Sequence, residues 1–409
     1  MTRPVFILGG AQTDFARSYA REGKEVADLV RDVTLDALGG LQLPPTSIGT
    51  IHVGNAFGEL FNGQGHLGAM PATVVPELTG VPASRHEAAC ASGGVALLAA
   101  MSEIEAGRYE AALVLGVEQE RNVPGDMAAK HLAAAGWVGH EGEGCRYLWP
   151  HMFARVADEY ARRYGFDHAH LASLAEKAFA SARRNPKAQT RGWAFTAASF
   201  SEDDAANPVI EGRIRRQDCS QVTDGAAAVV LCSGDFAAEY TKRRGLPMSA
   251  VARMLGWGHT TSGLPLEPKL TASRGEAYVF PAVRRAITDA FGRAGVDLAA
   301  LHGIETHDCF TVSEYMAIDH FGITAPGESW RAIEDGTVQL GGRLPVNPSG
   351  GLVGVGHPVG ATGVRMVLDA ARQVTGRAEA NQVEGARTFA TLNLGGSAAT
   401  VVSFVVGRG

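Results

Sequence analysis

The chain has 409 residues, enough for two or three domains with cores of their own, and its 45% hydrophobic and 20% charged content is that of an ordinary globular protein. A net charge of −6 argues against nucleic acid as a main partner, and no apolar run approaches the roughly 20 residues of a membrane span. Five cysteines, Cys90, Cys145, Cys219, Cys232 and Cys309, show neither a CxxC pair nor zinc-type spacing, which suits a reducing compartment and points away from a structural metal.

In chain order, Val5 to Leu8 reads as a short strand and predicts no signal peptide. The last residues, Val405 to Gly409, carry no peroxisomal address, so the expected location is the cytoplasm. Val30 to Ala37 reads as a helix leading through Leu43-Pro44-Pro45 to a strand over Thr50 to Asn55. Next, a β-like run meets a helix in Glu87-Ala88-Ala89-Cys90-Ala91-Ser92-Gly93-Gly94, and the helix continues as Val95 to Glu105 with apolar positions at Val95, Leu98, Met101 and Ile104. A thiol at a helix N-terminus faces the positive end of the helix dipole and free N–H groups, which predicts a thiolate. Ser92, Gly93 and Gly94 predict close passage of the backbone past a bound group. On this segment alone a catalytic and a buried structural cysteine both stay open. Ala111 to Leu115 reads as the next strand.

The middle of the chain, 120–248, reads as an inserted, mostly helical and loop subdomain, with helices over Val156 to Tyr164 and Leu171 to Ala182. Its last strand, about 223–232, returns to the N-terminal half, 1–119; the C-terminal half is 249–409. Residues 121–250 hold 17 Lys/Arg against 15 Asp/Glu, whereas the remainder holds 20 against 28. Basic clusters lie at Arg183-Arg184 with Lys187, at Arg213 with Arg215-Arg216, and at Lys242-Arg243-Arg244. They read either as a solvated surface or as a landing place for a phosphorylated ligand.

After residue 248 the pattern repeats. Val283 to Gly292 reads as a helix, Gly303 to Asp308 as a strand, and Gly360-Ala361-Thr362-Gly363 opens a helix before the strand Arg387 to Leu392. Alternating helices and strands point to an α/β fold with helices packed on mixed sheets, and the repetition to two duplicated halves with a site between them. The glycine-rich stretch Asn347 to Gly363 leaves little side chain to fill a core, so it must press against a ligand or another backbone; His357 is its one titratable side chain. His307-Asp308-Cys309-Phe310 ends a strand, where active crevices gather. His307 and Cys309, two apart in an extended chain, share a face, and Asp308 points the other way to anchor the loop.

These segments together resemble the thiolases over essentially the whole chain. The matching pieces are the Cys-x-Ser-Gly block at Cys90, Ser220 to Ala226 with its Asp-Gly-Ala, the Gly-His-Pro-x-Gly-Ala-x-Gly block at His357, and Thr391 to Gly396. Most thiolases have Asn-Glu-Ala-Phe where this chain has His307-Asp308-Cys309-Phe310, and a second catalytic cysteine where it has Asn393. Both departures mark the sterol-carrier-protein type and similar archaeal and bacterial enzymes. The resemblance implies two βαβαβαββ halves stacked in five αβαβα layers with an inserted loop subdomain. It implies acyl-CoA substrates, coenzyme A as substrate or product with no permanently bound cofactor, a homodimer or homotetramer, and, as in some relatives, a small zinc-ribbon and OB-fold partner.

It also implies the roles. Cys90 is acylated, His357 takes its proton, and Cys309 exchanges the proton of the acetyl-CoA carbanion in place of the missing cysteine. His307 and His357 hold the enolate oxygen, and the backbone amides of Cys90 and Gly395 hold the tetrahedral oxyanion. A looser match places Trp149-Pro150-His151-Met152-Phe153 over the pantetheine and acyl chain, with His151 and Met152 as the substrate contacts, and leaves Asn393 to orient a water or the loop. A decarboxylating ketoacyl synthase on the same fold would use one cysteine and two histidines but would not need Cys309. An inactive or scaffolding homologue would not need the intact trio.

Overall fold

The computed structural model describes residues 3–409. Its first half runs β1 (Val5–Gln12), α1 (Val26–Leu41), β2 (Thr50–Gly54), β3 (Ala83–His86), α2 (Ser92–Glu105) and β4 (Ala111–Glu118). Three helices follow, α3 (Gly125–Leu132), α4 (Leu148–Tyr164) and α5 (His168–Ala182), then β5 (Gly225–Ser233) and α6 (Gly234–Arg243). The second half runs β6 (Ala252–Thr261), α7 (Pro281–Ala294), β7 (Gly303–Thr306), α8 (Thr311–Phe321), α9 (Gly351–Val355), α10 (Thr362–Val374), β8 (Thr388–Gly395) and β9 (Thr400–Arg408).

The strands form one mixed sheet in the order β3-β2-β4-β5-β1-β6-β9-β8-β7. Within the first half, β2 is parallel to β3 and β4, and β5 is antiparallel to β4 and β1. The second half repeats this: β7 is parallel to β8, and β9 is antiparallel to β8 and β6. Val346, bridged in parallel to Ile304, stands where β3 stands in the first half. A short antiparallel pairing of Val5–Ile7 with Ala252–Met254 joins the halves.

Burial explains the layering. α1 covers one face of the first half through Leu29, Val30, Val33 and Ala37. α7 covers the outer face of the second half through Val283, Ala286, Ile287 and Ala290. α2 and α10 lie between, sharing one core with strands of both halves, so the stack is helix, sheet, helix, sheet, helix. A helix in the middle layer buries more than one face. For that reason Ala96, Leu97 and Ala100 are buried in α2, whereas Val95 and Leu98 are only partly so, and the single apolar stripe read from the sequence was too narrow.

The N-termini of α2 and α10 touch. A Cβ at Gly363 would stand 2.4 Å from both the Gly94 nitrogen and Asn393 Oδ1, and one at Gly93 would stand 2.8 Å from the Gly360 carbonyl oxygen. The glycines after Cys90 therefore serve helix-to-helix contact, and the expectation that they make room for a bound group is corrected.

The middle segment packs on the second half. α4 begins at Leu148, earlier than the periodicity predicted. The Tyr160 hydroxyl donates to Asp319 Oδ2 at 2.8 Å, and the Lys177 ammonium is paired with Glu314 and donates to the Val346 carbonyl at 2.7 Å. Sandwiched in this way, α8 is buried along its whole length. Lys242-Arg243-Arg244, by contrast, ends α6 against the first half, where the Arg244 guanidinium donates to the Leu41 carbonyl at 2.8 Å.

Candidate active site

Cys90 lies two residues ahead of α2 in a tight turn. Ala89 has φ +50°, a left-handed conformation that costs a non-glycine residue about 1–2 kcal/mol. The Ser92 side chain holds the turn, accepting from the Ala88 amide at 2.9 Å and donating to the Ala89 carbonyl at 2.6 Å. The thiol faces a cavity of about 280 Å³ that Cys309 and His357 also line. The cavity is mostly apolar, with Phe57, Leu132, Leu148, Trp149, Phe153 and Phe310 among its walls.

Burial above all pushes the Cys90 thiol up to about 12, opposed by the backbone N–H groups of Gly396 and of Cys90 itself. Desolvation thus opposes the pull of the helix end toward the thiolate. The glycine amide addressing the sulfur is that of Gly396, which lines the cavity. Gly395 is glycine because a Cβ there would stand 2.3 Å from the Ala88 carbonyl oxygen.

His357 follows α9 on the glycine-rich loop. Its backbone N–H donates to Thr223 Oγ1 at 2.9 Å. Its Nδ1 lies 2.7 Å from Thr362 Oγ1, whose own hydrogen goes to the Pro358 carbonyl at 2.9 Å. Thr362 can therefore only accept, so Nδ1 carries the ring hydrogen and Nε2 keeps its lone pair. Nε2 is buried with no protein partner. Burial, helped by the positive charge of Arg365, holds the ring neutral down to about pH 3.

His307 is fixed in the other tautomer. Asn393 Nδ2 donates to the Cys90 carbonyl at 2.9 Å and lies 3.2 Å from His307 Nδ1. The carbonyl can only accept, which fixes the orientation of the amide. His307 Nδ1 then accepts as well, and Nε2 bears the hydrogen. Burial, the His357 ring and Arg365 hold His307 neutral too. The two rings meet edge to face with centroids 5.1 Å apart. One ligand-type atom each of Cys90, His307 and His357 lies within 4.8 Å of the others. Such a trio could suit a metal by spacing, but a histidine with Nδ1 occupied and Nε2 protonated offers no lone pair to an ion.

Cys309 is buried on the cavity wall, 3.9 Å from Ser313 Oγ, and burial pushes its thiol up, with the Cys90 sulfur adding to the shift. Asp308 turns away and caps α9, accepting from the Leu352 amide at 2.6 Å and the Val353 amide at 3.4 Å. His151 and Met152 do not line the cavity. Met152 belongs to the core, and the wall is built by Trp149, Pro150 and Phe153, one face of α4. Of the basic clusters only Arg216 reaches the cavity; Arg213 is paired with Asp158 at 2.6 Å and Arg215 with Asp204 at 2.7 Å.

Sequence reading missed a buried acidic cluster. Glu118 accepts from Asn55 Nδ2 and from the amides of Ala56, Phe57 and Gly360 at 2.8–3.0 Å. Asp224 accepts from the amides of Tyr19, Glu120 and Arg121 at 2.7–2.9 Å. Glu120 lines the cavity itself. The signal was Glu118-Gln119-Glu120 at the end of β4, a strand the periodicity carried only to Leu115. Arg365, fully buried and paired with Asp369 at 2.7 Å, was missed as well.

Comparison with known proteins fits this geometry. Residues 5–192 match the family model described as Thiolase, N-terminal domain, and residues 268–408 match Thiolase C-terminal domain-like. The chain is 31% identical over 407 residues to an acetyl-CoA acetyltransferase of Methanothermobacter thermautotrophicus, covering 99% of this chain and 100% of that one. It is 28% identical to human sterol carrier protein 2, covering 98% of this chain and 71% of that one. Among solved structures, the Ltp2-ChsH2(DUF35) aldolase superposes with a TM-score of 0.77 at 21% identity, covering 99% of this chain and 98% of that one. The Acat5 thiolase of Ascaris suum in complex with coenzyme A gives 0.69 at 18% identity, covering 99% and 100%.

Proposed function

The chain belongs to the thiolase family and is an acyltransferase of the thiolase type, and on that premise we propose that Cys90, His357, Cys309 and His307 carry its reaction on coenzyme A thioesters. The observation that carries this reading is the pair of opposite histidine tautomers about one thiol: a free lone pair on His357 Nε2 and a hydrogen on His307 Nε2.

In the cleavage direction Cys90 Sγ attacks the 3-keto carbon while its proton passes to His357 Nε2. Because thiol and imidazole are both neutral at rest, transfer and attack occur together. The C2–C3 bond breaks, and the electron pair stays on C2 as the enolate of acetyl-CoA, whose oxygen accepts from His307 Nε2–H and His357 Nε2–H. The Cys309 thiol protonates C2, and acetyl-CoA leaves. Incoming coenzyme A gives its thiol proton to the Cys309 thiolate and attacks the acyl-Cys90 carbonyl; Cys90 leaves and recovers its proton from His357. The tetrahedral oxyanion is assigned to the amides of Cys90 and Gly395, and such donors contribute about 2.7–4 kcal/mol each in comparable sites. Condensation of acetyl-CoA is the same path reversed. A buried second thiol on the cavity wall has no task in a decarboxylating synthase, so the thiolase direction of chemistry is the better reading.

Asn393 is a positioning residue for His307 and for the Cys90 carbonyl. Arg216 is the candidate for a coenzyme A phosphate. The reading divides the chain at 119 and 248, with β5 belonging to the first half. It includes a homo-oligomer, since β3 leaves its outer edge unpaired among the described residues. A small partner protein belongs to it as well, one similar structure being named for two components. No helix among the described residues is long and apolar enough to cross a membrane.

The test is acylation. Incubated with an acyl-CoA, the protein should gain one acyl mass on the peptide bearing Cys90, and Cys90→Ala should gain none while keeping its fold by circular dichroism. Full labelling of the variant would sink the assignment.

A further inference from the structure

Glu120 is a buried carboxyl on the cavity wall with less support than its neighbours. Glu118 receives four hydrogen bonds and Asp224 three, all from N–H groups. Glu120 receives the Val359 amide on Oε1 at 3.0 Å and a long contact from the Thr223 amide on Oε2 at 3.4 Å. Among the described residues it forms no ion pair; Arg121, the adjacent cation, spends its guanidinium on the Ala16 and Arg17 carbonyls at 3.3 and 3.1 Å. Three carboxyls gathered with no ion pair among the described residues, Arg85 and Arg121 acting on Glu118 and Asp224 only from a distance, cannot all be ionised in a low-dielectric site. The one with the fewest donors keeps its proton, and burial together with the Glu118 and Asp224 charges pushes Glu120 well above the usual carboxylate range.

A protonated Glu120 carries its hydroxyl on Oε2, whose hydrogen-bond contact is the long one from the Thr223 amide. Glu120 lines a cavity whose walls are otherwise largely aromatic and aliphatic. A buried donor left unpaired is unfavourable, so such a group is retained where a ligand atom completes it. Glu120 shares one cavity with Cys90, Cys309 and His357, and its Oε1 is held by the amide of Val359, two residues after His357, which puts it beside the acyl half of the thioester and not beside coenzyme A.

We propose that Glu120 is a specificity-determining residue that donates a hydrogen bond to an oxygen atom carried by the acyl chain close to its thioester carbonyl. The preferred acyl group is thus bulky, apolar in its remainder, and oxygenated near the reacting carbon. This rests on the thiolase reading above.

The experiment compares 3-ketoacyl-CoA thioesters of equal chain length: plain alkyl, hydroxyl-bearing at carbon 4 or 5, and ammonium-bearing at carbon 5. Acylation of Cys90 is followed by mass and turnover by kcat/KM. The wild-type protein should prefer one hydroxyl-bearing thioester by roughly 10- to 100-fold over the alkyl one, the range expected when a site built to hydrogen-bond meets a ligand lacking the partner. Glu120→Leu should abolish or invert that ratio, and Glu120→Gln, which keeps a donor, should retain it. A ratio that is near one in the wild type or unchanged in Glu120→Leu overturns the inference while leaving Cys90 acylation, and hence the thiolase reading, intact. Preference for the ammonium-bearing thioester, lost in Glu120→Gln, overturns it in favour of an ionised Glu120. No acylation of Cys90 by any thioester overturns the underlying reading as well.

Discussion

Replacing Asn393 by Asp tests the histidine arrangement. The side chains are nearly isosteric, but the substitution turns a double donor into an acceptor. Asn393 Nδ2 serves the Cys90 carbonyl at 2.9 Å and His307 Nδ1 at 3.2 Å. In the variant a carboxylate oxygen would face the Cys90 carbonyl, and His307 would have to place its hydrogen on Nδ1 to meet it. The Nε2 donor to the enolate is then lost, which by analogy with deletion of one oxyanion donor is worth about 2.7–4 kcal/mol, or 10²–10³ in rate. Asn393→Ala removes the same two bonds, a net loss of about 1 kcal/mol each to stability, but leaves His307 free to keep Nε2–H. It should lose roughly tenfold or less in the same step. The assay is exchange of the acetyl-CoA α-protons with deuterium oxide, followed by mass spectrometry beside acylation of Cys90. Asp should damage exchange far more than Ala, with acylation affected less in both. Equal loss in the two variants, or exchange in Asn393→Asp at the wild-type rate, would show that the tautomer of His307 does not matter.

Two further outcomes follow from the same geometry. Cys309→Ala should still be acylated on Cys90 but should lose deuterium exchange by two orders of magnitude or more, on the order of a general acid–base contribution; retained exchange would mean another group protonates the carbanion. Because Cys90 is a thiol pushed up to about 12, iodoacetamide labelling of its peptide in the free protein should rise about tenfold per pH unit from pH 7 to 10. A plateau with a midpoint near neutrality would instead reveal a preformed thiolate–imidazolium pair.

The sequence by itself determined the duplicated α/β architecture and the thiolase family, and it singled out the residues proposed to react. Helix and strand periods are local properties, so each element needed only its own residues to be recognised, and the blocks at Cys90, His307 and His357 are short enough to carry their chemistry in sequence. The limits of local reading show at α2, whose second buried face comes from α10, and at α4, whose first turn lies over the active-site cavity. They show again at Met152, which a loose match placed against substrate and helical periodicity turned into the core. Protonation states were decided by the tertiary structure alone. Burial pushes the thiol of Cys90 up, the hydrogen of His357 is directed by Thr362, and that of His307 by Asn393, 86 residues away. The Thr362 contact is local, but its direction exists only once the loop is folded; the burial of all three side chains and the Asn393 bridge from His307 to the Cys90 carbonyl depend on groups brought together from both halves of the chain.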